Sequence, residues 1–283
     1  MRRDRTAVGG RRVRSAVASK HCARRLLRCA FCCAAWFFPT LGAAAADDRV
    51  RIAIEVGRAS ASGFLQTPAG GNPGTSSLRR PTLDETDSDR PDSARVAAAL
   101  GLGRRYRLRL AAERLWLHGD GASASDFFTQ GELYPTGTAL RQRTRVDLID
   151  LDVARAFAVG DWTLAPSLGL SHFRFDYDLE GDNGAFAIRD YSRTGLNLGF
   201  SGQRALTPKL SLALAAQHTV KLSQNTHERR AIHAKADYAL SDRIAIYLRV
   251  GAERIDYEDE QVLPNHLRIK RSPYYGLGVQ FTP

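Results

Sequence analysis

The sequence predicts an all-β fold: a single closed, antiparallel, up-and-down transmembrane β-barrel of about ten strands, with eight or twelve as the alternatives. Three observations predict it. A two-residue alternation of apolar and polar side chains recurs ten times after residue 46. The connections between these segments alternate between tight turns and long polar stretches. No segment after residue 46 approaches the roughly 18 to 20 consecutive apolar residues that a membrane-spanning helix needs.

The first 46 residues belong to a different regime. The 283-residue chain carries 41 Lys and Arg against 30 Asp and Glu, a formal +11 that would suit a nucleic-acid partner. Ten of those basic groups and one acid, Asp4, precede residue 47, which leaves 31 basic and 29 acidic groups in the body. Basicity is therefore a property of the leader, and no nucleic acid is expected as partner. Arg2 to Arg28 is basic, Cys29 to Phe38 is apolar, and Ala43-Ala-Ala-Ala46 stands before Asp47-Asp48. That order of charge, short apolar core and small-residue site predicts a cleaved export signal over 1-46, with an uncleaved anchor as the alternative. All four cysteines (Cys22, Cys29, Cys32, Cys33) lie in it, so the body has no disulfide, thiol chemistry or Cys-ligated metal.

Each strand follows from the pleat, which sends successive side chains to opposite faces. Val50, Ile52, Ile54 and Val56 share one face against Arg51, Ala53 and Glu55. Val96, Ala98, Leu100 and Leu102 form the second, and Tyr106, Leu108, Leu110 and Ala112 the third, opposite Arg107, Arg109 and Glu113. Ile149, Leu151, Val153 and Phe157 oppose Asp150 and Asp152. Leu164, Leu168 and Leu170 make the fifth; Leu196, Leu198 and Phe200 the sixth; Leu210, Leu212 and Leu214 the seventh. Ile232, Ala234, Ala236 and Tyr238 oppose His233, Lys235 and Asp237. Ile244, Ile246, Leu248 and Val250 oppose Arg249 and Glu253, and Tyr275, Leu277, Val279 and Phe281 close the series.

Tight turns are expected at Gly103-Arg104-Arg105, Val159-Gly160-Asp161, Thr207-Pro208-Lys209 and Ser241-Asp242-Arg243. Long polar connections are expected at 61-93, 119-142, 178-190, 223-229 and 257-266. A soluble barrel would also alternate, but short turns at one end and long loops at the other resemble the layout of bacterial outer-membrane β-barrels. The last strand carries the most specific sign. Tyr274, Gly276, Val279 and Phe281 are spaced like the C-terminal assembly signal of that class, although Thr282 and Pro283 follow the aromatic residue that usually ends it. The resemblance is to the class and not to one family within it. It implies a Gram-negative cell outer membrane, lipid and lipopolysaccharide as surroundings, and the barrel-assembly machinery as partner. In lipid every backbone polar group must be paired internally, so the aliphatic faces must point outward from a closed barrel. On that parity Phe157, Trp162 and Tyr238 lie beside the short turns and Trp116 near the opposite ends, as an interfacial aromatic belt would.

Continuing the outward parity toward the long loops reaches a cation on nearly every strand: Arg58, Arg114, Arg143, Arg145, Arg174, Arg230 and Arg254, with His118, His172 and His218. Outward arginines at that height suit bidentate contact with lipopolysaccharide phosphates. The plainer reading is long basic stems snorkelling at an interface. The inward set, Arg51, Glu55, Arg107, Arg109, Glu113, Asp150, Asp152, Arg249 and Glu253, carries both signs. In a narrow ten-strand bore it predicts either a cross-linked charge network or a lining for a small-solute pore.

Enzymatic signals are weak. Ten strands is also the count of the omptin proteases, and lipid A hydrolases place a Ser-His arrangement at the membrane edge. Of the residues that could serve, His233 and Asp237 share a face, and His218 precedes Ser223. Gly70-Gly-Asn-Pro-Gly74 lacks the Gly-Lys-Ser/Thr of a phosphate loop, and no His or Cys spacing predicts a metal or other cofactor. The first long connection, with Arg79-Arg80 before the acidic run Asp84 to Asp89, is expected to be a lid, a partner-binding segment or a solvated loop. The function expected is thus a surface barrel with a structural or narrow-pore role, and a hydrolase at the outer mouth is the alternative.

Overall fold

The computed structural model describes residues 50–66, 77–103, 105–221, 227–259 and 264–283. The leader with its cysteines, the Gly70 to Gly74 stretch, Arg104 and Ser223 lie outside the described residues. The strands are β1 (Val50–Gln66), β2 (Asp92–Leu102), β3 (Tyr106–Ala122), β4 (Phe127–Thr129), β5 (Glu132–Tyr134), β6 (Ala139–Arg155), β7 (Phe157–Val159), β8 (Trp162–Gly181), β9 (Phe186–Ala205), β10 (Leu210–Val220), β11 (Glu228–Ala239), β12 (Ile244–Glu258) and β13 (His266–Phe281). Ten of them, β1, β2, β3, β6, β8, β9, β10, β11, β12 and β13, pair in chain order, and β1 with β13 closes the ring. All these pairings are antiparallel, so the fold is the expected up-and-down barrel. The short β7 continues β6 past a break at Ala156, and β4 with β5 forms a separate hairpin between β3 and β6.

The aliphatic faces point outward. Ile54, Val56, Ile232 and Leu277 are all more than 60 % exposed, and Leu110, Leu168, Leu214 and Leu248 share their belt. An apolar belt running round the whole barrel is far larger than a monomer in water sustains, and matches a bilayer around a transmembrane barrel. One aromatic departs from the expected belt. The break at Ala156 takes Phe157 off the outward parity, and it is buried beneath the Arg155 guanidinium, 4.9 Å from the ring centroid.

The strands run much further than the outward aliphatic faces implied. The connection expected at 178-190 is a strand pair with a turn between Gly181 and Phe186, β1 runs on to Gln66, and β6 begins at Ala139. The physical reason is an inversion of the alternation. In the half nearest the long connections the inward residues become apolar: Leu115 and Leu117, Val146 and Leu148, Phe173, Phe175, Tyr177 and Leu179, Ile255 and Tyr257, Leu267 and Ile269 form a single buried cluster. The outward residues there are charged. This half is built like a water-soluble barrel, and following outward aliphatics alone ends where the belt ends.

One irregularity sets the interior of the last strand. In β13 Tyr274 lies opposite Ala59 and Gly251, while Arg271 lies opposite Ala61 and Glu253, so Ser272 and Pro273 form a bulge. A proline fits there because a bulge relieves it of a ladder hydrogen bond. The bulge turns both Tyr274 and Arg271 inward.

Candidate functional site: the barrel interior and its outer mouth

Viewed from the turn end, the interior has three layers. The first is a cup of about 530 Å³ that reaches the tight turns and is lined by Arg51, Arg107, Arg109, Lys235 and Asp237 among others. Alanines and glycines on the inner faces of β2, β9 and β10 (Ala97, Ala99, Gly199, Ala213) keep this part hollow.

The second layer is a continuous chain of ion pairs. Arg249 donates to Glu55 through Nε (3.0 Å) and also through Nη2, and its Nη2 lies 3.6 Å from Glu113. Arg271 donates to Glu113 (2.9 Å) and, through Nε, to Glu253 (2.7 Å). Arg229 donates to Glu253 (2.5 Å) and to Asp150 (2.6 Å). Seven side chains from six strands are thereby joined across the bore, each nearly inaccessible. Beside them Arg109 donates to Ser167 (2.6 Å) with Asp152 at 3.7 Å, and Asn197 donates to Asp152 (2.8 Å). Of the inward set read from the sequence, Glu55, Glu113, Asp150, Arg249 and Glu253 meet here, Arg109 and Asp152 sit alongside, and Arg51 and Arg107 lie in the cup.

Sequence reading missed Arg229, Arg271 and Arg95, whose Nε is 3.9 Å from Glu113. Arg229 and Arg95 share inward parity with His233 and Ala97, and that signal was sufficient to find them. Arg271 was hidden by the bulge, since unbroken alternation from Leu277 sends it outward. The C-terminal residues of the assembly signal serve this layer. A Cβ on Gly276 would stand 2.4 Å from the Glu55 carboxylate, and one on Gly278 would stand 2.3 Å from the Tyr247 ring. Val279 and Phe281 face outward in the belt.

The third layer is the apolar cluster, covered by residues 77–91. This segment runs along the outer part of β1: Leu83 N donates to Gly63 O (3.1 Å), Leu65 N to Pro81 O (3.2 Å) and Ala61 N to Asp89 O (2.6 Å). Thr82 and Glu85 form a reciprocal capping box, with Glu85 N donating to Thr82 Oγ1 at 3.2 Å and Thr82 N to Glu85 Oε2 at 3.4 Å. Arg79 donates to the same carboxylate at 2.6 Å. The turn so formed pushes Leu83, fully buried, into the bore. Gly119 and Gly121 on β3 make room for it, since a Cβ on either would stand 2.1 Å from a carbonyl oxygen of Thr86 or Glu85. The described part of the first long connection thus lies packed over the apolar cluster. Against this segment lies the β4–β5 hairpin, joined to it by a hydrogen bond from Ser77 N to Phe128 O (2.9 Å), and its Phe127 and Tyr134 stack at 4.7 Å and face the cluster.

The rim cations face outward, most of them beside a carboxylate on the same or an adjacent strand. Arg58 donates to Asp92 (2.9 Å), Arg114 to both oxygens of Asp147 (2.6 and 3.0 Å), and Arg145 to Asp176. Arg230 pairs with Glu228 and Arg254 with Asp256, each at 2.5 Å. Arg143 stands opposite Asp178 and Arg174 opposite Asp147 without an ion pair among the described residues. The hydrogen bond from Arg58 to Asp92, and that from Arg114 to Asp147, raise both arginines above their ordinary value. Burial would raise Asp256, but hydrogen bonds from His266, Arg254 and Arg268 hold it well below the usual carboxylate range. His227, buried against Phe173 with ring centroids 5.2 Å apart, is lowered to about 4, chiefly by desolvation and then by Arg229.

Of the residues that could serve a hydrolase, the described ones do not assemble. Asp237 pairs with Lys235 at 2.7 Å and not with His233, Asp150 is held by Arg229, and no group of His, Cys, Asp and Glu among the described residues could hold a metal.

No protein-family model matches the chain, and no curated protein matches it. Several solved structures are similar to it in part. Ail, the attachment invasion locus protein of Yersinia pestis, is 9 % identical with a TM-score of 0.36 over 83 % of this chain and 99 % of its own. The translocator domain of the autotransporter NalP from Neisseria meningitidis is 11 % identical with a TM-score of 0.40 over 93 % and 96 %. The outer membrane protein OprG from Pseudomonas aeruginosa is 9 % identical with a TM-score of 0.36 over 86 % and 97 %. Similarity at this level carries no functional information.

Proposed function

We propose that the protein is a closed outer-membrane barrel of the cell envelope with a structural, surface-presenting role, and that it does not conduct. The outward aliphatic belt supports the membrane, and the long charged half beyond it supports an orientation with the tight turns in the periplasm. The observation that carries the absence of conduction is the filled outer half: two layers in series, one of ion pairs and one of packed Leu, Phe and Tyr side chains beneath Leu83, obstruct the bore. Water and ions crossing it would have to break buried ion pairs and enter an apolar core, each costing several kcal/mol. Planar-bilayer recording of the refolded barrel tests this. No steady conductance is expected from the intact protein, and a stable open level in it would overturn the proposal.

The rim belongs to the same proposal. With five of its seven arginines beside carboxylates, Arg143 and Arg174 are the ones left to meet lipopolysaccharide phosphate. Replacing both with Ser is expected to reduce lipopolysaccharide co-purification, whereas Arg58→Ser is expected to leave it unchanged. Equal retention by all three proteins would remove the lipopolysaccharide contact and leave the closed barrel intact.

A further inference from the structure

The outer half of β9 is a sheet edge with no strand beside it among the described residues. β9 pairs with β8 along almost its whole length, but with β10 only from Leu196 to Ala205. Phe186 through Gly195 is therefore paired on one side only among the described residues, a length of about 33 Å. The residues between Lys221 and His227 cannot cover it all. Six peptide steps out and back reach about 10 Å, or roughly three residues along the edge, so Phe186 to Asp190 lie beyond the reach of that connection and have no second partner among the described residues.

The hairpin turn fixes which backbone groups are free. Gly184, at φ 84°, donates to Gly181 O (3.0 Å), and Gly181 N donates to Ala185 O (2.8 Å), a type I turn closed by a glycine bulge. From that pair the alternation of an antiparallel ladder turns the amides of Ala187, Arg189, Tyr191 and Arg193 toward β8. It turns those of Phe186, Ile188, Asp190 and Ser192 away from it.

The side chains along this edge are as unfinished as its backbone. Phe186 and Ile188 are 57 and 53 % exposed on the outer face, among neighbours such as Asp178 and Glu180. On the inner side neither Arg189 nor Arg193 has a carboxylate partner among the described residues. The Arg193 guanidinium lies 5.8 and 5.5 Å from the Tyr191 and Tyr257 rings, and the Tyr191 hydroxyl and Arg193 Nε are buried without hydrogen-bond partners. Natural sheets shield edges with short strands, prolines or charges. This one is long, carries two large apolar residues, and has unpaired cations on its other face.

We propose that the outer half of β9 docks an extended peptide strand of another molecule, with apolar side chains on one face to meet Phe186 and Ile188 and carboxylates on the other to meet Arg189 and Arg193. Strand addition of this kind takes affinity from main-chain hydrogen bonds and selectivity from alternate side chains. A second copy of the barrel is a poor occupant. Two barrels in one membrane have parallel axes, so their tilted β9 edges cross at roughly twice the strand tilt, about 70 to 90°, and cannot run side by side.

The test uses the refolded barrel in detergent and a fluorescent eight-residue peptide alternating valine and glutamate, followed by anisotropy. Saturable binding is expected. N-methylation of alternate peptide amides, or Asp190→Pro in the protein, removes edge hydrogen bonds and is expected to weaken binding roughly tenfold or more. Ile188→Ser is expected to weaken it several-fold, and a lysine-for-glutamate peptide is expected not to bind. Asp190→Pro leaves the β8 ladder untouched, and if it fails to fold the N-methylated peptide reads the same bond in the unaltered protein. Absence of binding by the parent peptide, or equal binding of parent and N-methylated peptides, would overturn the proposal and leave the closed-barrel reading standing.

Discussion

Removing Arg271 tests the ion-pair layer most severely, because it lies in the middle of the chain of pairs. Its guanidinium serves Glu113 at 2.9 Å and Glu253 at 2.7 Å, and all three side chains are at most 3 % exposed. Arg271→Met fills the volume but leaves two carboxylates without a central partner. Arg249 and Arg229 can each retain one of them, so the expected loss is that of one broken buried pair, about 3 to 5 kcal/mol. The comparison is Arg58→Met at an outward pair whose side chains are 72 and 59 % exposed, where solvent screening should leave only a small loss. Equilibrium urea unfolding in lipid vesicles, read by tryptophan fluorescence, separates the two by several-fold in free energy. Adding Glu253→Gln to Arg271→Met should recover part of the loss, since the orphaned charge goes with it. A loss from Arg271→Met no larger than that from Arg58→Met, or a double variant weaker than the sum of the singles, would refute the reasoning.

Three further outcomes are expected. Gly119→Val drives a side chain into the Thr86 and Asp87 carbonyls, so residues 77–91 should lift and trypsin should cut after Arg79 much faster than in the parent, Arg80 and Arg90 each being protected by a following proline. Gly276→Leu should prevent formation of the heat-modifiable gel band that a folded membrane barrel gives before boiling, because its side chain needs the space that the Glu55 carboxylate occupies, whereas Gly103→Ala, strained by its φ of 67° at a cost of about 1 to 2 kcal/mol but with nothing within 4 Å of its Cβ, should leave the band in place. His227 has a folded-state value of about 4 against an ordinary 6.5, so the unfolded chain binds the extra proton between those values. Its contribution is complete above pH 6.5 and declines by about 3 kcal/mol as the pH falls to 4, and His227→Phe should flatten that part of the stability profile.

The barrel was legible in the sequence where one rule held along a whole strand. Ile52, Leu110, Leu212 and Leu248 advertise an outward belt because each has an inward polar neighbour (Arg51, Arg109, Ser211 and Arg249), and the tight turns at Gly103, Gly160, Pro208 and Asp242 fix one end. The outer half was not legible by that rule. At Arg114 and Leu115, Asp147 and Leu148, and Arg174 and Phe175 the apolar and charged roles exchange faces while the pleat continues, so the same residues that continue a strand resemble the beginning of a loop. The ion-pair layer was half visible: Glu55, Glu113 and Arg249 lie on clean inward parity, whereas Arg271 depends on where Ser272 and Pro273 place the extra residue. The packing of residues 77–91 over the cluster was not visible, since Leu83 is one apolar residue in a polar stretch and the glycines that receive it, Gly119 and Gly121, are on another strand.

The facing of the whole outer half of β13 rests on the bulge at Ser272 and Pro273. Straightening it at unchanged length would carry β13 on in unbroken alternation, turning Leu267, Ile269 and Arg271 out of the barrel and Arg268 and Lys270 into it, whereas deleting one of the two residues would give a regular ladder with Arg271 still inward. The strand thus tolerates a loss of length here better than a loss of the kink: ironing it flat would exchange its wet and dry sides along half its length, at the strand that joins the last part of the chain to the first.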